Sequence, residues 1–79
     1  MDERRQSPRR TVLKSGLVII QESAMTLRCT VRNLSDGGAC IEVSSTIGMP
    51  SNLELVLDGV HRSCRVIWRT DTRMGIAFN

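Results

Sequence analysis

Two alternating runs on either side of one polar turn constrain the fold of this chain most strongly. Apolar and polar residues alternate from 25 to 32 and again from 39 to 43. A period of two residues is typical of a half-buried β-strand. The sequence therefore predicts two strands joined by a turn. The turn is mostly short polar residues and glycine: Asn33, Leu34, Ser35, Asp36, Gly37 and Gly38.

The hexapeptide 33–38 fits two interpretations. Asn, Ser and Asp can bond their own backbone and Gly accepts a positive φ, so the composition fits a plain hairpin turn. The same residues also present an amide, a hydroxyl and a carboxylate on one bend, which the glycines leave open to another molecule. A ligand with hydrogen-bond donors and phosphates would fit that bend.

The length and the hydropathy of the chain exclude several classes of protein. Seventy-nine residues form one small core and therefore one domain. The sequence has no run of 18 apolar residues, so we expect no membrane span. The first residues are not followed by the apolar segment of a signal peptide, and we expect a cytoplasmic protein.

The cysteines indicate reduced core residues and neither a disulfide framework nor a metal site. Cys29, Cys40 and Cys64 are odd in number and lack C-x-x-C spacing. His61 and Cys64 are three residues apart, which places them on opposite faces of a strand. We therefore expect no metal, and small buried thiols at Cys29 and Cys64.

The complete pattern predicts an all-β fold, because no stretch of ten residues has helical spacing. Six short strands in so few residues are best closed into a small antiparallel barrel, which removes exposed edges. The predicted strands are Thr11–Ile20, Met25–Arg32, Ala39–Val43, Asn52–Leu57, Val60–Arg69 and Met74–Phe78.

Local signals predict further details of this barrel. Gly16 indicates a bulge or a sharp bend in the first strand, and Asp58-Gly59 indicates a type I′ hairpin turn. The loop 44–51 is expected to tuck Ile47 and Met49 against an open end of the core. Strict alternation in the fifth strand would place Trp68 on the core face, with Cys64 and Val66, and Arg69 on the other face. This parity favours a role of Trp68 in the core or at the barrel rim over the alternative of a platform for base stacking.

Basic residues are concentrated at the start of the chain. The formal charge is +3, and Arg4, Arg5, Arg9, Arg10 and Lys14 all precede residue 15. We interpret residues 1–10 as a flexible basic arm and 11–79 as the barrel. Such a segment fits a solvated tail, but guanidinium groups also bind phosphate bidentately and stack on flat bases. A cyclic dinucleotide offers both features.

Two motifs in this order resemble those of the PilZ domain family. Arg5 and Arg9 match its RxxxR arm, and Asn33, Ser35 and Gly38 match its (D/N)xSxxG motif. The segments Val66-Ile67-Trp68-Arg69 and Met74-Gly75-Ile76-Ala77-Phe78 are similar to the last two strands of that family. The resemblance covers nearly the whole chain.

The resemblance implies a six-stranded barrel that binds cyclic di-GMP, a bacterial second messenger, and that is a sensor and not an enzyme. By position, Arg5 and Arg9 would contact phosphates and guanine faces, Ser35 would bond a phosphate or base edge, and Gly38 would keep the turn shape. Arg4 is an additional candidate beside the arm. Asn33 stands where many members have aspartate, and we expect weaker binding, because an amide has one acceptor atom where a carboxylate has two.

Many PilZ domains continue into a C-terminal helix, whereas this sequence stops at Asn79, so the resemblance implies a barrel without that helix. The uncovered surface is expected to bind a protein partner or a second copy. Three alternatives stay open. They are a PilZ-fold adaptor that binds no nucleotide, a general nucleic-acid-binding barrel, for which only Trp68 and Phe78 are aromatic, and an enzyme, for which the lone His61 offers no catalytic partner.

Overall fold

The alternating runs form strands at nearly the residues that the sequence predicts. The structure is a computed structural model and describes residues 10–79. Besides the strands, these residues contain one turn of 3-10 helix, Gln21–Ser23, and no α-helix. The strands are β1 (Arg10–Ile20), β2 (Met25–Leu34), β3 (Gly38–Glu42), β4 (Asn52–Leu57), β5 (Val60–Arg69) and β6 (Arg73–Phe78).

The six strands form one closed antiparallel barrel in the order β1-β2-β3-β6-β5-β4. The ring closes where Leu17, Val18 and Ile19 of β1 pair with β4. Closure satisfies the backbone hydrogen bonds that an open sheet would leave at its edges. The predicted all-β barrel is confirmed.

The barrel encloses a core of aliphatic and sulfur-containing side chains. Cys29 and Cys64 are buried, as predicted, and all three cysteines are free thiols. Burial raises the pKa of the Cys29 thiol to about 11 and also raises the pKa of Cys64, so both stay neutral and pack as apolar groups. The largest fully buried side chains are Ile41, Leu55, Met74, Val18, Val31 and Cys64.

Two strands contain bulges that the alternation does not reveal. Val12 and Leu13 of β1 together oppose Arg32 of β2. The predicted bulge at Gly16 is wrong, because Gly16 pairs in regular register with Cys29. Its hydrogen-only side chain fits where a Cβ would lie 3.1 Å from the carbonyl oxygen of Val56. The glycine therefore serves a close approach of backbones.

The second bulge lies in β5 between Val66 and Trp68. It shifts the parity of the strand by one residue, which moves Trp68 to the outer face and turns Arg69 toward the face of the buried Met74. The expected faces of Trp68 and Arg69 are therefore wrong, whereas Cys64 lies inside as predicted.

Of the three predictions made for the loops, two are confirmed and one is wrong. Asp58 and Gly59 both have a positive φ, 53° and 79°, as the type I′ turn requires. Met49 is buried beside the core as predicted, but Ile47 is 91% exposed.

Residues 10–79 contain no helix with the length and hydropathy that a membrane crossing requires.

Arg69 holds the loop 46–50 against one end of the barrel. Its Nη1 atom donates to the carbonyl oxygens of Met49 (2.8 Å) and Thr46 (3.4 Å), and Nη2 donates to that of Pro50 (3.4 Å). The Thr46 hydroxyl, which is buried, bonds the carbonyl oxygen of Thr70. The loop is thus ordered by hydrogen bonds to its backbone.

We predict that Arg69→Ala lowers the free energy of unfolding by about 1–2 kcal/mol, because three carbonyl groups lose a charged donor. Urea unfolding would measure the change. Arg28→Ala is the matched control, since Arg28 is exposed and forms no ion pair within residues 10–79, and its change should stay within about 0.5 kcal/mol. Equal stability of the two variants would contradict the role of Arg69.

Candidate functional site

The turn between β2 and β3 is held by the backbone on both sides. The Ser35 amide donates to the carbonyl oxygen of Gly38 (2.9 Å), and the Ser35 hydroxyl bonds the same oxygen (3.3 Å). The amide of Phe78 in β6 donates to the carbonyl oxygen of Gly37 (2.9 Å). The turn is therefore tied to the neighbouring strand β6.

Gly38 is required at its position by the approach of β6. A Cβ at this residue would overlap the carbonyl oxygen of Ile76, whereas a Cβ at Gly37 would have no heavy atom within 4 Å. Gly38 pairs with Ala77 and is buried. Of the two adjacent glycines, only the second therefore needs to be glycine for steric reasons.

The extra residue Arg32 decides which way Asn33 faces. Val31 pairs with the buried Ile41, and Asn33 pairs with Cys40, so Arg32 is the bulged residue between two regular pairs. Cys40 alternates with core residues and lies on the outer face. Asn33 consequently shares that face, although its parity with Val31 along the chain would have placed it inside.

Strand pairing continues from Asn33 on β2 across β3, β6 and β5, and we call the paired residues the outer row. Cys40 pairs with Gly75, and Gly75 pairs with Trp68. The indole of Trp68 lies over Gly75, where any side chain would overlap it, and Trp68 remains 47% exposed. A flat aromatic surface therefore lies three strand spacings, about 14 Å, from Asn33 on the same outer face.

A second row of paired residues runs beside the first and ends at the positively charged side chain of Arg65. Gly38 pairs with Ala77, and Ala77 pairs with Arg65, which is exposed and forms no ion pair within the described chain. The two rows leave only small residues between the turn and β5. We call these residues the floor: Gly38, Cys40, Gly75 and Ala77.

The floor is bordered by groups that suit a flat anionic ligand. Asn33 and Ser35 lie along one border, and Trp68 and Arg65 lie along the other. Three of the four floor residues are buried, so the groups exposed to a ligand are mainly those of the borders. The indole can stack on a base, and the guanidinium can bond phosphate or a base edge. Three or more metal-ligating side chains do not cluster anywhere in residues 10–79.

The predicted basic arm leads into β1, whose first residue lies beside this site. Strand β1 begins at Arg10, which pairs with Leu34, the residue before Ser35. The predicted site residues Arg4, Arg5 and Arg9 lie outside the described residues. Their covalent distance from Arg10 is nonetheless limited, because the six residue steps from Arg4 to Arg10 span at most about 22 Å when fully extended.

Two concave surfaces lie beside the floor, and residues of the turn line the first of them. One, of about 280 Å³, opens at the barrel mouth, where Leu34, Leu57 and Phe78 form its apolar part and Asp36 lies at its rim. Arg62 covers the Phe78 ring there, with its guanidinium carbon 4.6 Å from the ring centroid. The other, of about 650 Å³, lies along the outer face of β1 and β2.

The model of the PilZ domain family matches residues 3–79. The chain belongs to the PilZ domain family. A search of curated proteins gave no match. PilZ domains are generally non-enzymatic domains that bind cyclic di-GMP, and they often interact with other proteins. The resemblance inferred from the two motifs is therefore confirmed over nearly the whole chain.

The structure of this PilZ domain brings the predicted residues Asn33, Ser35 and Gly38 together at one turn. It also adds groups that the sequence analysis did not include in the site. Trp68 was expected in the core or at the barrel rim, with base stacking as the less favoured alternative, and Arg65 was not considered as a site residue. One signal for the floor was available, because a glycine inside a strand, such as Gly75, often marks a close approach of another group.

We predict that Gly38→Ala lowers the free energy of unfolding of this PilZ domain by about 2 kcal/mol, because β3 and β6 must separate to admit the methyl group. Thermal unfolding followed by circular dichroism would measure the loss. Gly37→Ala is the matched control, one residue away, with open space around its Cβ and an expected change within about 0.5 kcal/mol. If both variants unfold like the wild type, the close approach at Gly38 is not a constraint.

Proposed function

We propose that this PilZ domain is a receptor for cyclic di-GMP, which binds over the floor on the outer face of the barrel. The observation that carries the proposal is the placement of Asn33 across the small-residue floor from the exposed ring of Trp68. A planar base and an anionic phosphate are the two groups that this combination of surfaces accepts.

Each border of the floor has its own role in the proposed complex. Asn33 and Ser35 bond a base edge and a phosphate oxygen. Trp68 stacks on a guanine with the ring face that Gly75 does not cover. Arg65 reaches over Ala77 toward phosphate or a guanine oxygen, and its unpaired charge within the described residues leaves it available for this bond.

The arm completes the proposed site from above. Arg5 and Arg9 are tethered to β1 at Arg10, beside the turn, and bond phosphates once the nucleotide lies on the floor. The phosphates offset the mutual repulsion of the arginines, so binding pins the arm across the turn. Arg4 adds to the local positive charge.

The proposed output is a change of surface and not a chemical reaction. Closure of the arm covers the turn and leaves a new combination of arm and barrel residues for a protein partner or a second copy. The proposed compartment is the cytoplasm, where three free, buried cysteines suit the reducing conditions.

The arm is tested by calorimetric titration of cyclic di-GMP. We expect Arg5→Ala and Arg9→Ala each to weaken binding tenfold to a hundredfold, because each removes charge-assisted hydrogen bonds worth about 1.5–3 kcal/mol. Arg28→Ala is the matched control for the loss of one positive charge, because Arg28 lies on β2 about 16 Å from Asn33.

A linear dinucleotide serves as the control ligand in the same titrations. Equal affinity of the wild type and both arm variants would exclude the arm from the site. Absence of any heat with the wild-type protein would refute the proposed receptor function and favour the adaptor that binds no nucleotide.

The stacking role of Trp68 has a separate test. We expect Trp68→Ala to weaken binding of cyclic di-GMP about tenfold to a hundredfold, because the stacking of one base on an aromatic ring contributes roughly 1–3 kcal/mol. Ile67→Ala is the control, since Ile67 is the exposed neighbour in the bulge. Trp68 is the only tryptophan, so its fluorescence in the wild type should also change on binding. An unchanged affinity of Trp68→Ala would remove the ring from the site.

A further inference from the structure

We propose that the concave surface at the mouth of the barrel binds a small aliphatic carboxylate, with the carboxylate group on Arg62 and the aliphatic chain between the leucines. We call this surface the mouth pocket, and its volume is about 280 Å³. The inference concerns a second ligand site and does not rest on the proposed binding of cyclic di-GMP. It follows from the place of an arginine on the fifth strand.

Arg62 occupies a position of β5 that faces the barrel interior. It pairs with Leu55 of β4, which is 1% exposed, and it lies two residues before the fully buried Cys64. Paired residues share one face of a sheet, and so do residues two apart along a strand. The alternation of β5 would therefore place an apolar side chain at this position. The arginine is exposed there because the position lies at the open end of the barrel.

The inner part of the mouth pocket is apolar. Its lining includes the fully buried Leu55 and three half-buried side chains that pack against the core, those of Leu34, Leu57 and Phe78. An apolar cavity of about 150 Å³ holds a molecule of the size of benzene, so the mouth pocket has room for one small apolar group. Because Arg62 covers the Phe78 ring, the uncovered apolar lining is mostly leucine, which suits an aliphatic chain.

The guanidinium group of Arg62 is available to a ligand. Its carbon atom lies 4.6 Å from the centroid of the Phe78 ring, a cation–π contact that requires no hydrogen bond. Within residues 10–79 this side chain donates no hydrogen bond and forms no ion pair. Its planar set of N–H donors therefore remains for an acceptor, and a carboxylate matches that set with two parallel hydrogen bonds.

The charges around the mouth pocket favour a ligand with one negative charge. Besides Arg62, the lining contains Arg10 and Asp36, neither of which forms an ion pair with another described residue. Asp58 also lines the pocket, but Lys14 compensates its carboxylate (2.7 Å). Two guanidinium groups thus accompany one uncompensated carboxylate. A monocarboxylate neutralises this excess of one positive charge.

NMR titration of the full chain with octanoate tests the inference. We expect octanoate to shift the backbone amide signals of Leu57, Arg62 and Phe78 more than that of Trp68, which lies on the outer face. Octanoate should bind at least about tenfold more tightly than octanol or octylammonium, because the charge-assisted hydrogen bonds to Arg62 require an anion. Butanoate should bind at least about tenfold more weakly than octanoate, since each buried methylene group contributes about fourfold.

Substitution of Arg62 tests the residue that binds the carboxylate. We expect Arg62→Gln to weaken octanoate at least about tenfold and to change the affinity for octanol by less than about threefold. Arg28→Gln is the matched control for the loss of one positive charge, because Arg28 is exposed and lies outside the mouth pocket. It should bind octanoate like the wild type.

Asp36→Asn tests the charge balance with a substitution on the exposed turn. It removes the uncompensated carboxylate of the mouth pocket and should strengthen the binding of octanoate at least about twofold. A purely structural role of Arg62 would not produce this increase. Circular dichroism and the unfolding temperature show whether each variant keeps the barrel.

The inference is overturned if octanoate leaves the amide signals of the mouth pocket unchanged, or if it binds no more tightly than octanol. Equal affinity of the wild type and Arg62→Gln would also overturn it. Binding of N-acetyl-leucine at least about tenfold more tightly than octanoate would indicate a site for the end of a peptide chain, which would refute the assignment to an aliphatic acid. The cyclic di-GMP titrations are independent of all these results, so the proposed receptor function succeeds or fails separately.

Discussion

The contact between the backbone of Gly38 and the carbonyl group of Ile76 determines the rest of the outer face. Because no side chain separates the two strands there, β3 and β6 pair up to the turn, and the Phe78 amide can bond the carbonyl oxygen of Gly37. That bond fixes the turn against β6, the last strand of the chain. A turn held only by its own residues would leave the direction of the Ser35 side chain less well defined.

The charges around the floor are arranged so that an anion is not repelled. The carboxylate of Glu42, two residues after Cys40 on β3, is compensated by Arg32 and Arg73. Arg65 keeps its charge unpaired within residues 10–79. Exposed charges of this kind are screened within about 8–10 Å at physiological salt, so their effect is local to the floor.

Much of the fold was predictable because alternation reports burial directly. The strand bounds of β4 and β5, the Asp58-Gly59 turn and the buried thiols agree with the expectations. The wrong faces of Trp68 and Arg69 share one physical cause. A bulge adds one residue to one strand only, and every side chain beyond it changes face, so the outward position of Trp68 was missed.

The sequence by itself determined the six strands, the small barrel, the family and the identity of the groups at the turn, because each depends on local periodicity or on residue type. Only the tertiary structure decided that Asn33, Gly75 and Trp68 form one outer row. That row depends on register between strands far apart in the chain, and on bulges whose positions follow from how both neighbouring strands pair. Neither quantity is contained in the order of residues along a single strand.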